Sequence, residues 1–242
     1  MKNTIINAML IFVITLSPCC RTTSLNQSAR INPVGSHEIN GTFGFNIGFA
    51  AAMLPMCGIN AGLLYRFAGS QLFEYQLALD SQISLIPQAI ASSPYSGIYP
   101  SVNLYNQFKI NVYSSYIANI SLLPIIGFHF NYYPTDFYGL GWATGFKIIG
   151  DYSLKNGYVF YYGLNIKLWG NCYSSLNLNS AYTYAPEINA GFTWGWEVPN
   201  QNILTRHEFC IGTTFTPPYF NSPSIIFAYS VSIGKLFPIL LL

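Results

Sequence analysis

The stretch PEINAGFTWGWEV, residues 186–198, alternates between two kinds of residue. From its third residue onward every second position is apolar, and the positions between are polar or small. A period of two places the two sets on opposite faces of a β-strand, whereas a helix would mix them. Trp194 and Trp196 therefore share the apolar face, and Glu197 lies on the polar face.

The composition of the whole chain is typical of a membrane protein. Of its 242 residues 51% are hydrophobic, 17% aromatic and only 7% charged, whereas a soluble domain carries about 25% charged residues. The net charge is only +2, and the basic residues are not clustered in the sequence. Nucleic-acid binding requires a clustered basic face. We therefore expect membrane lipid, and no nucleic acid, among the partners.

Residues 1–20 predict a secretory signal peptide, because their apolar stretch is too short to span a bilayer. The residues LSPC, 16–19, are similar to a bacterial lipobox, in which cleavage precedes acylation of the Cys. Pro18 departs from that motif, since a small residue is usual there. Cys19 is accordingly a possible lipidation site, with ordinary signal-peptide cleavage as the alternative.

The rest of the chain divides into a linker and one large domain. Residues 21–37 are polar and irregular and predict a periplasmic linker, and the alternation recurs throughout residues 38–242. It forms about eleven stretches of roughly 10 to 14 residues, and a tilted strand needs about 9 to 11 to cross a bilayer. Single-chain bacterial barrels have an even number of strands. The sequence therefore predicts twelve strands, with ten as the alternative.

Interruptions of the alternation predict loops and irregularities. Residues 86–100 contain three prolines and predict the longest loop. Pro124 predicts a bulge, because proline cannot donate a hydrogen bond to a neighbouring strand. The pair Gly170 and Asn171 predicts a two-residue turn that leads into a separate strand near residues 176–184.

The charged residues within the predicted strands fall on the polar face, with the single exception of Lys235. Lys235 lies near a strand end, where its long side chain can reach the membrane interface. In a closed barrel the polar face lines the lumen and the apolar face meets lipid. The predicted lumen residues are Arg66, Glu74, Asp80, Lys109, Lys147, Lys167, Glu197, Arg206 and Glu208, and the predicted lipid-facing aromatic residues are Trp142, Trp194 and Trp196.

We interpret the chain as an all-β protein, a transmembrane up-and-down antiparallel β-barrel. A soluble sandwich would have shorter strands and a polar outer face. A helical membrane protein is disfavoured because the charge-free stretch 47–65 contains Pro55 and keeps a period of two at both ends. With lipid on one side, only a closed sheet satisfies every backbone group.

Over residues 38–237 the sequence resembles bacterial outer-membrane β-barrel proteins in general, with no narrower family. The resemblance rests on the signal peptide, the period of two, the aromatic-rich apolar face and a final strand ending at Phe237. It implies the bacterial outer membrane as the location and the barrel-assembly machinery as a partner. One departure is that residues 238–242 follow the terminal aromatic residue, on which such barrels usually end.

Three functions remain open at the level of sequence. The first is a small pore or passive channel with a charge-balanced polar lumen. The second is a structural or adhesin-like surface-interaction barrel with a plugged lumen. The third, a barrel-embedded hydrolase, is disfavoured because neither His129 nor His207 has a nucleophile at catalytic spacing.

The sequence assigns no catalytic residue, no metal site and no cofactor. The scattered cysteines Cys57, Cys172 and Cys210 lack the spacing of a zinc site. Any disulfide among them, the oligomeric state and the solute remain undetermined from the sequence.

Overall fold

Ten antiparallel strands close into a single barrel in the computed structural model, which describes residues 27–49, 55–86, 97–133, 137–175, 183–215 and 224–237. Each strand pairs with its neighbours in sequence, and the first strand pairs with the last. The strands are β1 (His37–Phe49), β2 (Pro55–Ala68), β3 (Phe73–Ile86), β4 (Gly97–Ser114), β5 (Ala118–Tyr133), β6 (Phe137–Ser153), β7 (Val159–Ser175), β8 (Thr183–Asn200), β9 (Ile203–Phe215) and β10 (Ser224–Phe237).

Closure between β1 and β10 leaves the barrel without a sheet edge. The register runs from His37 opposite Phe237 to Phe49 opposite Ile225. The beginning of β1 and the end of β10 thus lie at the same end of the barrel. The short connections β2–β3, β4–β5, β6–β7 and β8–β9 also lie there, and we call it the turn end; the opposite end is the loop end.

The predicted period of two is present in the burial of the strand residues. In β1 inward and outward positions alternate without interruption from Glu38 to Phe49. Large apolar side chains cover the outside, for example Phe43, Leu63, Ile126, Phe128, Leu140 and Ile233, each more than half exposed. An exposed surface of this kind is unfavourable in water and favourable in lipid. No helix among the described residues is long and apolar enough to cross a membrane.

The barrel has ten strands, the alternative count from the sequence, and not the preferred twelve. The additional strand predicted near residues 176–184 is not separate within the described residues. Thr183 and Tyr184 begin β8, and residues 176–182 lie outside the described part. The prediction of a turn at Gly170 and Asn171 was also wrong. Both residues lie within β7 and pair with Pro186 and Ala185 of β8.

Gly170 serves the packing of the wall. A Cβ atom at this position would lie 2.5 Å from Nε1 of Trp142 on the neighbouring strand β6. Only glycine leaves room for that indole ring, so a residue that looks like a turn signal is a packing requirement.

The predicted bulge at Pro124 is not at that position. Pro124 pairs in register with Phe146 of β6, and the register shift lies on the other side of β5, between Asn111 and Tyr113 of β4. Of the predicted loop at residues 86–100, residues 97–100 belong to β4 and residues 87–96 lie outside the described part. The predicted signal peptide, Cys19 and residues 238–242 also lie outside it.

Candidate functional site: the lumen and its plug

A chain of five charged side chains crosses the lumen at the turn end. Its central member is Glu38, whose carboxylate contacts Arg66 Nη1 at 2.6 Å and Arg206 Nη1 at 2.7 Å. Arg66 Nε contacts Glu74 at 2.6 Å, and Arg206 Nε contacts Glu197 at 2.7 Å. Acid and base alternate along the order Glu197, Arg206, Glu38, Arg66, Glu74. Each of these almost completely buried charges therefore has at least one partner of opposite sign.

The lumen at the turn end is occupied by the segment that precedes β1. We call residues 27–36 the lumen plug. Gln27, Ser28, Ala29 and Ser36 are at most 3% exposed. The sequence predicted residues 21–37 as a periplasmic linker. Of their described part, residues 27–29 are buried inside the barrel, whereas Pro33 and Val34 are exposed at its mouth.

Lumen side chains hold the plug mainly by its backbone. Lys109 Nζ donates to the carbonyl oxygens of Ser28, at 2.8 Å, and of Arg30. Ser121 Oγ donates to the Ala29 carbonyl at 2.6 Å, and Arg66 Nη2 donates to the Arg30 carbonyl at 3.3 Å. Three successive carbonyl groups of the plug therefore have donors on the barrel wall.

Two backbone N–H groups of the plug have carboxylate acceptors on the wall. The Arg30 amide donates to Asp151 at 2.9 Å, and the Asn32 amide donates to Glu74 at 3.2 Å. Glu74 thus belongs to both the charged chain and the plug site. Charge-assisted hydrogen bonds of this kind are stronger than neutral ones.

Side chains of the plug add a smaller set of contacts. Gln27 and Gln76 exchange a pair of amide hydrogen bonds at 2.7 and 2.6 Å. Asn32 Nδ2 donates to Glu38 at 2.9 Å, and Arg30 Nε lies 3.6 Å from Asp151. These contacts fix the position of the segment along the lumen.

Ala29 fills an apolar pocket in the wall. Its side chain is fully buried in a cluster with Leu123, Ile149 and Tyr161. A methyl group occupies this place, so a larger side chain would have to displace its neighbours. At this position the wall therefore favours a small side chain in the plug.

A cavity of about 480 Å³ remains at the mouth of the turn end. The plug forms one wall of this cavity, and the β2–β3 and β4–β5 connections form the other. Its lining includes Arg30, Asn32, Val34, Gln71, Asn111 and Tyr116.

Further toward the loop end the lumen contains both apolar and polar side chains. An apolar cluster consists of Leu64, Ala78, Tyr105, Ile125, Ala143 and Trp169. Lys167 Nζ lies 4.5 Å from the centre of the Tyr105 ring, a cation–π contact. Asn189 Nδ2 donates to the Glu187 carboxylate at 2.5 Å, and Asn189 Oδ1 accepts from the Thr214 hydroxyl at 2.5 Å.

The structure places the predicted lumen residues on the inner face of the barrel. Asp80 is half-buried. The other eight are at most 6% exposed: Arg66, Glu74, Lys109, Lys147, Lys167, Glu197, Arg206 and Glu208. Arg66, Glu74, Lys109, Glu197 and Arg206 come together at the turn end. Lys235, the predicted exception, is exposed on the outside, with Nζ 5.3 Å from the Phe237 ring centre.

Three further lumen carboxylates were missed by the sequence assignment: Glu38, Asp151 and Glu187. Each is at most 2% exposed, and each lies near a strand end. Their phase would have identified them, because Asp151 lies four residues after Lys147 and Glu187 lies two residues before Asn189 on the polar face. The nine predicted residues therefore understate the acidic part of the lumen.

The predicted outer aromatic residues face away from the lumen. Trp142 is 40% exposed, Trp196 is 37% exposed, and Trp194 is half-buried among aromatic neighbours. Trp194 stacks on Phe209, and Trp196 stacks on His207. These stacks form an aromatic patch across β8 and β9, as is usual at a membrane interface.

The histidines considered for catalysis lie in different surroundings. His129 is buried on the inner face and packs edge-on against Trp169, with ring centres 4.9 Å apart. His207 Nδ1 hydrogen-bonds the Tyr229 hydroxyl at 2.8 Å on the outside of the barrel. Within the described part of the chain, His, Cys, Asp and Glu side chains form no group that could hold a metal ion.

The thiols Cys57 and Cys210 lie on opposite faces of the barrel wall. Cys57 is exposed, whereas Cys210 is buried. These two side chains therefore cannot form a disulfide with each other. The side chain of Cys172 lies outside the described set.

Neither a scan of protein-family models nor a search of curated protein sequences gave a match. Solved structures do match. An outer-membrane channel from Pseudomonas putida F1 has a TM-score of 0.55 at 8% identity, covering 90% of this chain and 100% of that chain. The outer-membrane protease OmpT from Escherichia coli has a TM-score of 0.49 at 5% identity, covering 84% and 96%. The β domain of the Bordetella autotransporter Brka has a TM-score of 0.47 at 10% identity, covering 83% and 99%.

At such low identities the likeness to the channel shows the fold alone. The location predicted from the sequence, the bacterial outer membrane, agrees with that fold and with the apolar outer surface of the barrel. The chain has the fold of bacterial outer-membrane β-barrels.

Proposed function

We propose that the chain is an outer-membrane channel for small polar solutes, which the lumen plug holds closed at the turn end. The observation that carries the proposal is the set of wall side chains that bind the plug inside a polar lumen. Short turns of such barrels face the periplasm, so the plug closes the periplasmic side. The passive pore expected from the sequence is then a gated one.

The plug can leave the lumen without breaking the barrel wall, because it is not a strand of the sheet. The wall is complete without it, because β1 pairs directly with β10 along its whole length. The plug is held by side-chain hydrogen bonds, by one small apolar contact and by two backbone hydrogen bonds of Gly35 and Ser36 with Ala68. Its release would admit water to the lumen, and water can replace the hydrogen bonds of the wall side chains. Release of the plug would therefore leave the sheet intact.

The second candidate is a permanently filled barrel that acts as a surface scaffold. The buried cluster around Tyr105 and Trp169 supports it, because these large side chains occupy lumen space beyond the plug. The two candidates differ in whether a current flows once the plug has left.

Conductance across planar bilayers separates the candidates. For the intact refolded chain we expect no steady current steps. In Ala29→Phe the larger ring cannot enter the pocket formed by Leu123, Ile149 and Tyr161. Overpacking of about 1 to 3 kcal/mol shifts the balance between closed and open states by roughly 5- to 150-fold, and discrete steps should appear.

The matched control is Val34→Phe, which introduces the same ring in the same segment. Val34 is 56% exposed, so its replacement should leave the channel closed. Trypsin cleavage after Arg30 reports plug release independently, and cleavage after Lys155 in the exposed β6–β7 turn is the internal standard. Steady steps from the intact chain would contradict a closed resting state. An Ala29→Phe variant with a released plug but no current would favour the filled scaffold.

A further inference from the structure

We infer that the turn-end half of the lumen is a peptide-binding site, and that the lumen plug is its built-in ligand. The substrate class would be short peptides in which a small residue precedes a basic one. The role of such peptides as channel substrates rests on the proposed function; the binding site itself does not.

The first argument is that the wall recognises the plug as a polypeptide backbone. Five main-chain atoms of residues 28–32 are bound by wall side chains: the carbonyl oxygens of three successive residues and two amide N–H groups. The wall offers cationic and hydroxyl donors to the carbonyl groups and carboxylates to the N–H groups. Any peptide presents the same alternation of acceptors and donors.

The second argument is that these wall side chains are buried around the plug. Lys109, Ser121 and Glu74 are fully buried, and Lys109 donates to two plug carbonyl groups. A buried ammonium requires hydrogen-bond acceptors, and the carbonyl groups of a peptide supply them. A second peptide could replace the plug without leaving these polar groups unsatisfied.

The third argument concerns sequence preference. The pocket at Ala29 admits a small side chain, and Asp151 lies where the next residue presents both its amide and its cationic side chain. Gln76 offers an amide to the residue two positions before the small one. The site therefore favours a polar amide residue first, a small residue third and a basic residue fourth.

The built-in ligand also explains how a weak external peptide could act selectively. A tethered segment competes at an effective concentration of the order of millimolar. An external peptide must therefore fit the pocket well to displace it, and a poorly matched solute leaves the barrel closed. Substrate binding and plug displacement would be the same event.

The test is binding of a labelled peptide to the refolded full chain in detergent, measured by fluorescence anisotropy. The probe is the peptide QSARIN, the sequence of residues 27–32, blocked at both ends. The intact chain and the Ala29→Phe variant are compared, because overpacking at residue 29 should displace the variant's own plug from the site. We expect at least tenfold tighter binding by the variant than by the intact chain.

Two altered peptides provide the controls. One carries phenylalanine in third position, which should not enter the apolar pocket, and the other carries glutamate in fourth position, opposite Asp151. Each should bind at least tenfold more weakly than QSARIN. Equal binding of the three peptides would overturn the inference. The inference would also be overturned if QSARIN binds neither to the Ala29→Phe variant nor to the double variant Ala29→Phe, Arg30→Glu.

The two proposals fail in different experiments. Current without peptide binding would leave the channel standing and remove the peptide site. Peptide binding with the expected selectivity, but without current from the released variant, would leave the site standing and remove the channel.

Discussion

Replacement of Glu38 by glutamine tests the charged chain at its centre. The Glu38 carboxylate is fully buried and bound to both Arg66 and Arg206. The variant keeps the size of the side chain but removes its charge, so two buried guanidinium groups lose their shared counterion. Each of them retains one acidic partner, Glu74 or Glu197.

The magnitude follows from the two hydrogen bonds. A bond to a charged group contributes about 1.5 to 3 kcal/mol, and the amide oxygen of glutamine can keep one bond at roughly half strength. We therefore expect Glu38→Gln to lower the free energy of unfolding by about 3 kcal/mol. Truncation to alanine belongs in the range of about 3 to 5 kcal/mol found when a buried ion pair is broken.

The assay is equilibrium unfolding by urea in lipid vesicles, followed by tryptophan fluorescence. Asn32→Ala is the control for the plug, because Asn32 also donates to Glu38. In a double-mutant cycle with Arg66→Met, the double variant should lose less free energy of unfolding than the sum of the two single losses, by at least about 1 kcal/mol. Additivity within about 0.5 kcal/mol, or a loss from Asn32→Ala equal to that from Glu38→Gln, would refute the reasoning.

Three further predictions concern the plug, the wall and the outer face. Lys109→Met removes the donor to two plug carbonyl groups, so trypsin should cleave within the plug at least tenfold faster, with cleavage in the β6–β7 turn unchanged. Gly195→Ala should cost about 1 to 3 kcal/mol or prevent folding in urea titrations, because its Cβ would collide with the backbone carbonyl of His207 and lie 2.9 Å from the Tyr161 ring; Gly41→Ala, with nothing within 4 Å, should be nearly neutral. Phe43→Arg, in the middle of the outer face, should cost about 2 to 4 kcal/mol in the same titrations, whereas Ile39→Arg near the turn end should cost at most about 1 kcal/mol; equal costs would contradict a bilayer around this face.

The faces of the strands could be predicted from the sequence because a period of two leaves little freedom. Once Trp194 and Trp196 point outward, Glu197 must point inward. The strand count was less certain, because turn signals are local while strand length depends on the neighbours. Gly170 illustrates this point, since its reason lies in Trp142 on the next strand.

The plug could not be predicted, and the reason is physical. Residues 27–36 have no periodicity, and most of their bonds to the wall use backbone atoms, which every residue carries. Ala29 gives no signal in the sequence that it fills a pocket. The wall side of the site was partly visible, since Arg66, Glu74 and Lys109 were all assigned to the lumen, but their common partner was not.

The contact between Glu38 and Arg206 also has a consequence for assembly. The two residues are 168 positions apart in sequence, and β10 lies between their strands in the barrel. Their ion pair can form only after β1 has paired with β10. The ion pair therefore offsets the entropy lost on closing this long loop only in the last step of barrel assembly. Until then Arg206 lacks one of its two counterions. The charged chain is thus completed by a correctly closed barrel, and a barrel closed in the wrong register would leave charges buried without partners.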